Sequence, residues 1–126
     1  MQTGAVVAAI LIGVVIVFQV GLALGAPWGA AAWGGQNPGR LPGRLRIASL
    51  VASVLLALIA WVVAAAGNVV ATSPLPESWL IPATWFATGY FGLGVVVNLI
   101  SRSRIERLWS PVSLITAVCC AIVAIG

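Results

Sequence analysis

Arginine is the residue type in this sequence that most directly indicates a binding function. All six basic side chains are arginines, and lysine, histidine and aspartate are absent. The arginines form two groups of three: Arg40, Arg44 and Arg46, then Arg102, Arg104 and Arg107. A guanidinium pairs with a phosphate through two parallel hydrogen bonds, so clustered arginines predict a site for an anion or a lipid headgroup.

The first arginine group ends an unusual segment, GAPWGAAAWGGQNPGRLPGRLR, at residues 25–46. Glycine-rich turns expose backbone N–H groups that hold anions. The predicted lipid or anion site consists of Trp28, Trp33, Arg40, Arg44, Arg46, Arg102 and Arg104. The alternative is an ordered connector, in which glycine and proline set the turns and arginine fixes the topology. The three alanines at 30–32 also leave open a re-entrant segment.

Gln19 and Asn98 are the polar side chains in the most apolar surroundings, and both are predicted to lie within the membrane. They either hydrogen-bond to each other, which is worth about 0.6–2 kcal/mol, or line a cavity that opens to the cytoplasm. Glu106, in the segment SRSRIERLW, is expected to pair with neighbouring arginines.

Catalytic and metal chemistry have few candidate groups. The side chains that could act as a general acid or base are Glu77, Glu106, Tyr90 and the adjacent Cys119 and Cys120. With one Met, two Cys and no His, the chain offers a poor set of metal ligands. The sequence therefore predicts no enzyme, no cofactor and no metal site.

The elements that position these residues follow from the hydropathy. Hydrophobic residues make up 62% of the 126 positions and charged residues only 6%, far from the composition of a soluble domain. Four charge-free stretches are each long enough to cross a bilayer, at about 5–25, 47–67, 80–100 and 108–125. They predict one all-α, polytopic membrane domain over 1–126, with four transmembrane helices in an antiparallel bundle. Two stripes of small residues are predicted to pack helices closely: Gly21, Gly25 and Gly29, and Ser49, Ser53 and Ala57.

The arginines also predict the orientation. Both groups lie in odd-numbered loops, 26–46 and 101–107, which fall on one side of a four-span protein. The positive-inside rule assigns that side to the cytoplasm, so both termini lie outside. Three tryptophans near each face agree with interfacial anchoring.

The segment LGAPWGAAAWGGQNPGRLPGRLR, together with LWSP after the second basic loop, resembles a group of small four-span bacterial membrane proteins. The resemblance covers most of the chain, and its distinctive part is Gly-Ala-Pro-Trp-Gly. It implies a multi-pass protein of the bacterial plasma membrane, and it adds no activity.

Two functions stay open at this point. The first is a non-enzymatic membrane module that binds a lipid or a partner at its cytoplasmic face, the partner being a second copy or another membrane protein. The alternative is a small channel or transporter for a neutral or anionic solute, with Gln19, Thr88 and Asn98 along the path. Nucleic acid is not an expected partner, because the hydropathy assigns the arginines to membrane topology.

Overall fold

The computed structural model describes residues 2–101 and 103–126, so the predicted site residue Arg102 lies outside the described residues. The helices are α1 (Gln2–Ala23), α2 (Gly43–Ala66), α3 (Glu77–Leu99), α4 (Arg104–Arg107) and α5 (Trp109–Ile125). Two short 3-10 turns, Gly29–Ala31 and Trp33–Gly35, lie between α1 and α2.

The prediction of an all-helical membrane protein is confirmed at this level. In the described part of the chain, four helices are long and apolar enough to cross a membrane: α1, α2, α3, and the stretch Arg104–Ile125 formed by α4 and α5. Between 22% and 39% of the most apolar part of each is buried. Most of the apolar side chains therefore face outward, as a lipid environment favours and water does not.

The helix boundaries differ from the predicted spans at positions where a charged residue had been taken as the limit of a span. α2 begins at Gly43 rather than 47, so Arg44 and Arg46 lie in its first turn and not in the loop. Arginine has a backbone N–H and therefore does not interrupt a helix. The helix begins only after Pro42, whose backbone is extended. α1 ends at Ala23, and Gly25 follows with a φ of +98°, a conformation that favours glycine.

The fourth span is broken near its start. α4 and α5 are separated at Leu108, three residues before Pro111. Proline has no N–H to donate to the carbonyl four residues earlier, which belongs to Arg107. The break leaves α4 as a single turn, and its Glu106 side chain is buried.

Four helix pairs make the principal contacts: α1 with α2, α2 with α3, α3 with α5, and α5 with α1. Between α3 and α5, Ser110 Oγ donates a hydrogen bond to the Val95 carbonyl at 3.1 Å, and a Cβ on Gly94 would lie 3.3 Å from Ser113 Oγ. The core of this arrangement consists of Ala5, Ala8, Ile12, Leu56, Val63, Ala87, Phe91, Ala117, Cys120 and Val123.

The two small-residue stripes only partly serve helix packing. Ser49 and Ser53 are buried on α2, but Ala57 is exposed. In the other stripe only Gly21 lies in α1, and a Cβ there would come 2.1 Å from the Trp28 ring. Gly21 therefore makes room for a side chain from the following loop rather than for a second helix.

Gly29 closes the first loop on itself. Its N–H donates to the Gly39 carbonyl at 2.8 Å. A Cβ at this position would lie 1.8 Å from the Asn37 carbonyl oxygen and 2.7 Å from that of Gly39. Because both atoms belong to the backbone, the loop itself has to move to accept any larger residue.

We predict that Gly29→Ala destabilises the protein by about 1–3 kcal/mol, the usual range for overpacking a close contact. Gly13→Ala is the matched control, because a Cβ at Gly13 meets nothing within 4 Å and alanine favours a helix interior. The free energy of unfolding in mixed micelles measures the difference. Equal loss of stability in both variants would contradict the close contact at Gly29.

Candidate binding sites at the arginine-bearing end

The two arginine-bearing segments are in direct contact. Ser103 Oγ donates a hydrogen bond to the Ala30 carbonyl, and Trp109 Nε1 donates to the Ala31 carbonyl at 3.1 Å. A Cβ on Gly35 would lie 2.5 Å from that of Ser103. Residues 24–46 thus form one surface with residues 100–101 and 103–108, which we call the arginine-bearing end.

The arginines of the predicted site have different roles within this end. Arg46 Nε donates to the Ala23 carbonyl at 3.0 Å and so satisfies the last turn of α1. Arg40 lies against Gly25, with its Nε 2.8 Å from the position of a Cβ there. Arg44 and Arg104 are exposed. Arg46 is therefore tied to the fold, and the more exposed guanidinium groups are those available to an anion.

The two tryptophans of the predicted site face different spaces. The Trp28 ring stacks on Phe18, with centroids 6.0 Å apart and planes at 9°. Trp33 Nε1 donates to Ser49 Oγ at 3.2 Å. Trp28 lines an apolar groove and Trp33 lines a separate polar cavity, so the structure does not bring these two tryptophans into one space.

The apolar groove has a volume of about 590 Å³ and an almost entirely apolar lining. It is bounded by α1, the first loop, α4 and α5. Its main lining side chains, which we use to define it, are Val14, Val17, Phe18, Trp28, Ile105, Leu108, Trp109 and Val112. Sequence reasoning missed this groove, because it arises where the first loop folds back beside α5.

The polar cavity has a volume of about 510 Å³. The 3-10 turns of the first loop form one wall through residues 31–34, and α1, α2, α3, α4 and α5 supply the rest. The polar side chains that line it, by which we define it, are Gln19, Tyr90, Asn98, Glu106 and Ser113, with the Trp33 and Trp109 indoles. Among the described residues, Glu106 is the one charged side chain in the lining.

Gln19 and Asn98 meet at this cavity without bonding to each other. Gln19 Oε1 is buried and has no hydrogen-bond partner within the described part of the chain. A buried acceptor left unpaired costs about 1–3 kcal/mol. Of the two arrangements that the sequence left open, shared lining of a cavity is the one observed.

Glu106 is buried, although its arginine-rich sequence surroundings indicate an exposed position. It is 7% exposed, and its Oε2 accepts a hydrogen bond from Ser101 Oγ at 2.9 Å. Ser103 Oγ accepts the Glu106 N–H at 3.3 Å and caps α4. This burial could not be predicted from the sequence, because a glutamate four residues after an arginine is typical of a solvated ion pair.

The groove and the cavity share a wall. Phe18, Ala31 and Trp109 line both spaces. The Phe18 and Trp109 rings are 4.8 Å apart at an angle of 50°, and the Trp109 indole is held by its bond to Ala31. A change in this wall therefore affects both spaces.

Comparison with known proteins gives no further guide to function. No protein-family model, no curated protein and no solved structure matches this chain.

We predict that Gln19→Leu stabilises the protein by about 1–3 kcal/mol, because it removes an unpaired buried oxygen and keeps a side chain of similar size. The matched control is Gln36→Leu at an exposed loop position, where the change should stay within about 0.5 kcal/mol. Unfolding of both variants in mixed micelles measures the effect. A Gln19→Leu protein less stable than the wild type would show that Gln19 has a structural partner after all.

Proposed function

We propose that this chain is a non-enzymatic integral membrane protein that binds an anionic phospholipid at its arginine-bearing end. The observation that carries the proposal is the apolar groove beside exposed arginines. The groove offers almost no polar group to a ligand, so its occupant in a bilayer is an acyl chain. The positive charge beside it favours an anionic headgroup over a zwitterionic one.

The lipid is oriented by the residues that flank the groove. Ile105 and Leu108 line it, and both are more than half exposed. Arg104 directly precedes Ile105 and is exposed. An acyl chain against Ile105 and Leu108 therefore places its phosphate near α4, where the Arg104 guanidinium can pair with the phosphate bidentately.

The orientation in the membrane is part of the proposal. We place the arginine-bearing end in the cytoplasm by the positive-inside rule, with both termini outside and the four helices antiparallel. The resemblance to small four-span bacterial proteins supports the plasma membrane of a bacterium. The anionic lipid of the inner leaflet then lies on the same side as the groove.

The polar cavity supports a second candidate function, the binding or passage of a small solute. Gln19 and Asn98 line it, as that function requires. Thr88 does not belong to the described lining, and its hydroxyl donates to the Thr84 carbonyl of its own helix at 3.0 Å.

We predict that the purified protein retains phosphatidylglycerol in preference to phosphatidylcholine with the same acyl chains, and that Val17→Trp abolishes the retention by filling the groove. Val51→Trp is the matched control, because Val51 is a similarly exposed valine on α2, a helix that contributes nothing to the described lining of the groove. Native mass spectrometry from mild detergent counts the bound lipid.

The headgroup is tested separately with Arg104→Gln and Arg44→Gln, which remove the same charge at two exposed positions. The preference for phosphatidylglycerol should fall more in Arg104→Gln, because only that residue adjoins the groove. Equal retention of both lipids by the wild type, or retention unchanged by Val17→Trp, would refute the proposal.

A further inference from the structure

We propose that the polar cavity binds a small organic amine in its protonated form. This site is distinct from the apolar groove, and its ligand has the opposite charge to the lipid headgroup. The inference rests on the acceptors that the cavity presents, on its aromatic walls and on its size. It does not depend on lipid binding at the groove.

Two hydrogen-bond acceptors determine the polarity of the ligand. Glu106 supplies a carboxylate that is 7% exposed, and it is the one charged side chain in the described lining. Gln19 supplies a buried oxygen without a partner. A positively charged nitrogen compensates the carboxylate, and its further N–H donors suit an unpaired acceptor such as the Gln19 oxygen.

The aromatic walls of the cavity also favour a cation. Phe18, Tyr90, Phe91 and Trp109 all contribute rings to the lining, and the face of an aromatic ring attracts an ammonium group. The indole N–H of Trp109 is already engaged with Ala31. This tryptophan therefore contributes its ring to the wall rather than an N–H donor.

The arginines do not reverse this polarity. Arg40, Arg44 and Arg104 are exposed, and none of them belongs to the described lining. An anionic solute, one of the classes expected from the sequence, would be repelled by the like charge of the Glu106 carboxylate. The cavity thus selects against the same charge that the outer surface attracts.

The size of the cavity limits the body of the ligand. A volume of about 510 Å³ lies within the range of small-molecule sites, which are mostly apolar with a few placed polar groups. A single aromatic ring with a short amine-bearing arm suits this space. Phenethylamine is therefore a suitable probe, and phenethyl alcohol and phenylacetate are its neutral and anionic counterparts.

The test is equilibrium dialysis of these three probes against the full chain in phosphatidylcholine nanodiscs, with empty nanodiscs as the blank. Gln19→Leu and Glu106→Gln alter the two acceptors. Gln36→Leu and Glu77→Gln are matched controls, since both positions are exposed and outside the described lining. A melting curve for each variant reports whether it is folded.

We expect phenethylamine to bind more tightly than the alcohol and the carboxylate to show no binding above the blank. Each acceptor variant should weaken the amine by about tenfold or more, as for loss of a hydrogen bond to a charged group, while the two controls bind as the wild type does. Gln19→Leu is expected to gain stability, so its weaker binding cannot come from unfolding.

Three results would overturn the inference. The first is tighter binding of phenylacetate than of phenethylamine. The second is equal affinity for the amine in the wild type and in folded Gln19→Leu and Glu106→Gln proteins. The third is amine uptake by wild-type nanodiscs no greater than by empty ones.

Discussion

Within the described residues, four helices that are long and apolar enough to cross a membrane set the constraint on which this structure depends, because polar groups within a bilayer must find partners inside the protein. The hydroxyls of Thr84, Thr116 and Ser53 each donate to the carbonyl four residues earlier in their own helix. The Arg46 side chain likewise donates a hydrogen bond to the Ala23 carbonyl at the end of α1. Against this background, a buried Gln19 oxygen without a partner is an exception, and an unpaired buried group of this kind calls for a physical explanation such as a ligand.

The first loop converts a simple helical arrangement into one with binding spaces. Its first 3-10 turn contacts Ser103 through the Ala30 carbonyl and Trp109 of α5 through the Ala31 carbonyl, and Gly35 of the second turn lies close to Ser103. On one side this leaves the apolar groove and on the other the polar cavity, with Phe18 and Trp109 between them. The groove and the cavity are therefore neighbours that are separated by these two rings.

The sequence predicted the four spans, because charge-free stretches of sufficient length are a local property. It did not predict the burial of Glu106 or the split between Trp28 and Trp33. These depend on contacts such as Ser103 with Ala30, which are 73 residues apart in the chain. The burial of Glu106 and the placement of the two tryptophans follow from the conformation of the first loop, which depends on glycines that leave no room for a Cβ. That conformation cannot be predicted from composition alone.

The most direct test of this account is the accessibility of single cysteines in a Cys119→Ser, Cys120→Ser background, in intact and in permeabilised cells. Gln36→Cys and Arg104→Cys report on the two arginine-bearing segments, and Ala71→Cys reports on the loop between α2 and α3. A membrane-impermeant maleimide should label Ala71→Cys in intact cells and the other two only after permeabilisation. Opposite accessibility of Gln36→Cys and Arg104→Cys would contradict the account, as would labelling of all three in intact cells.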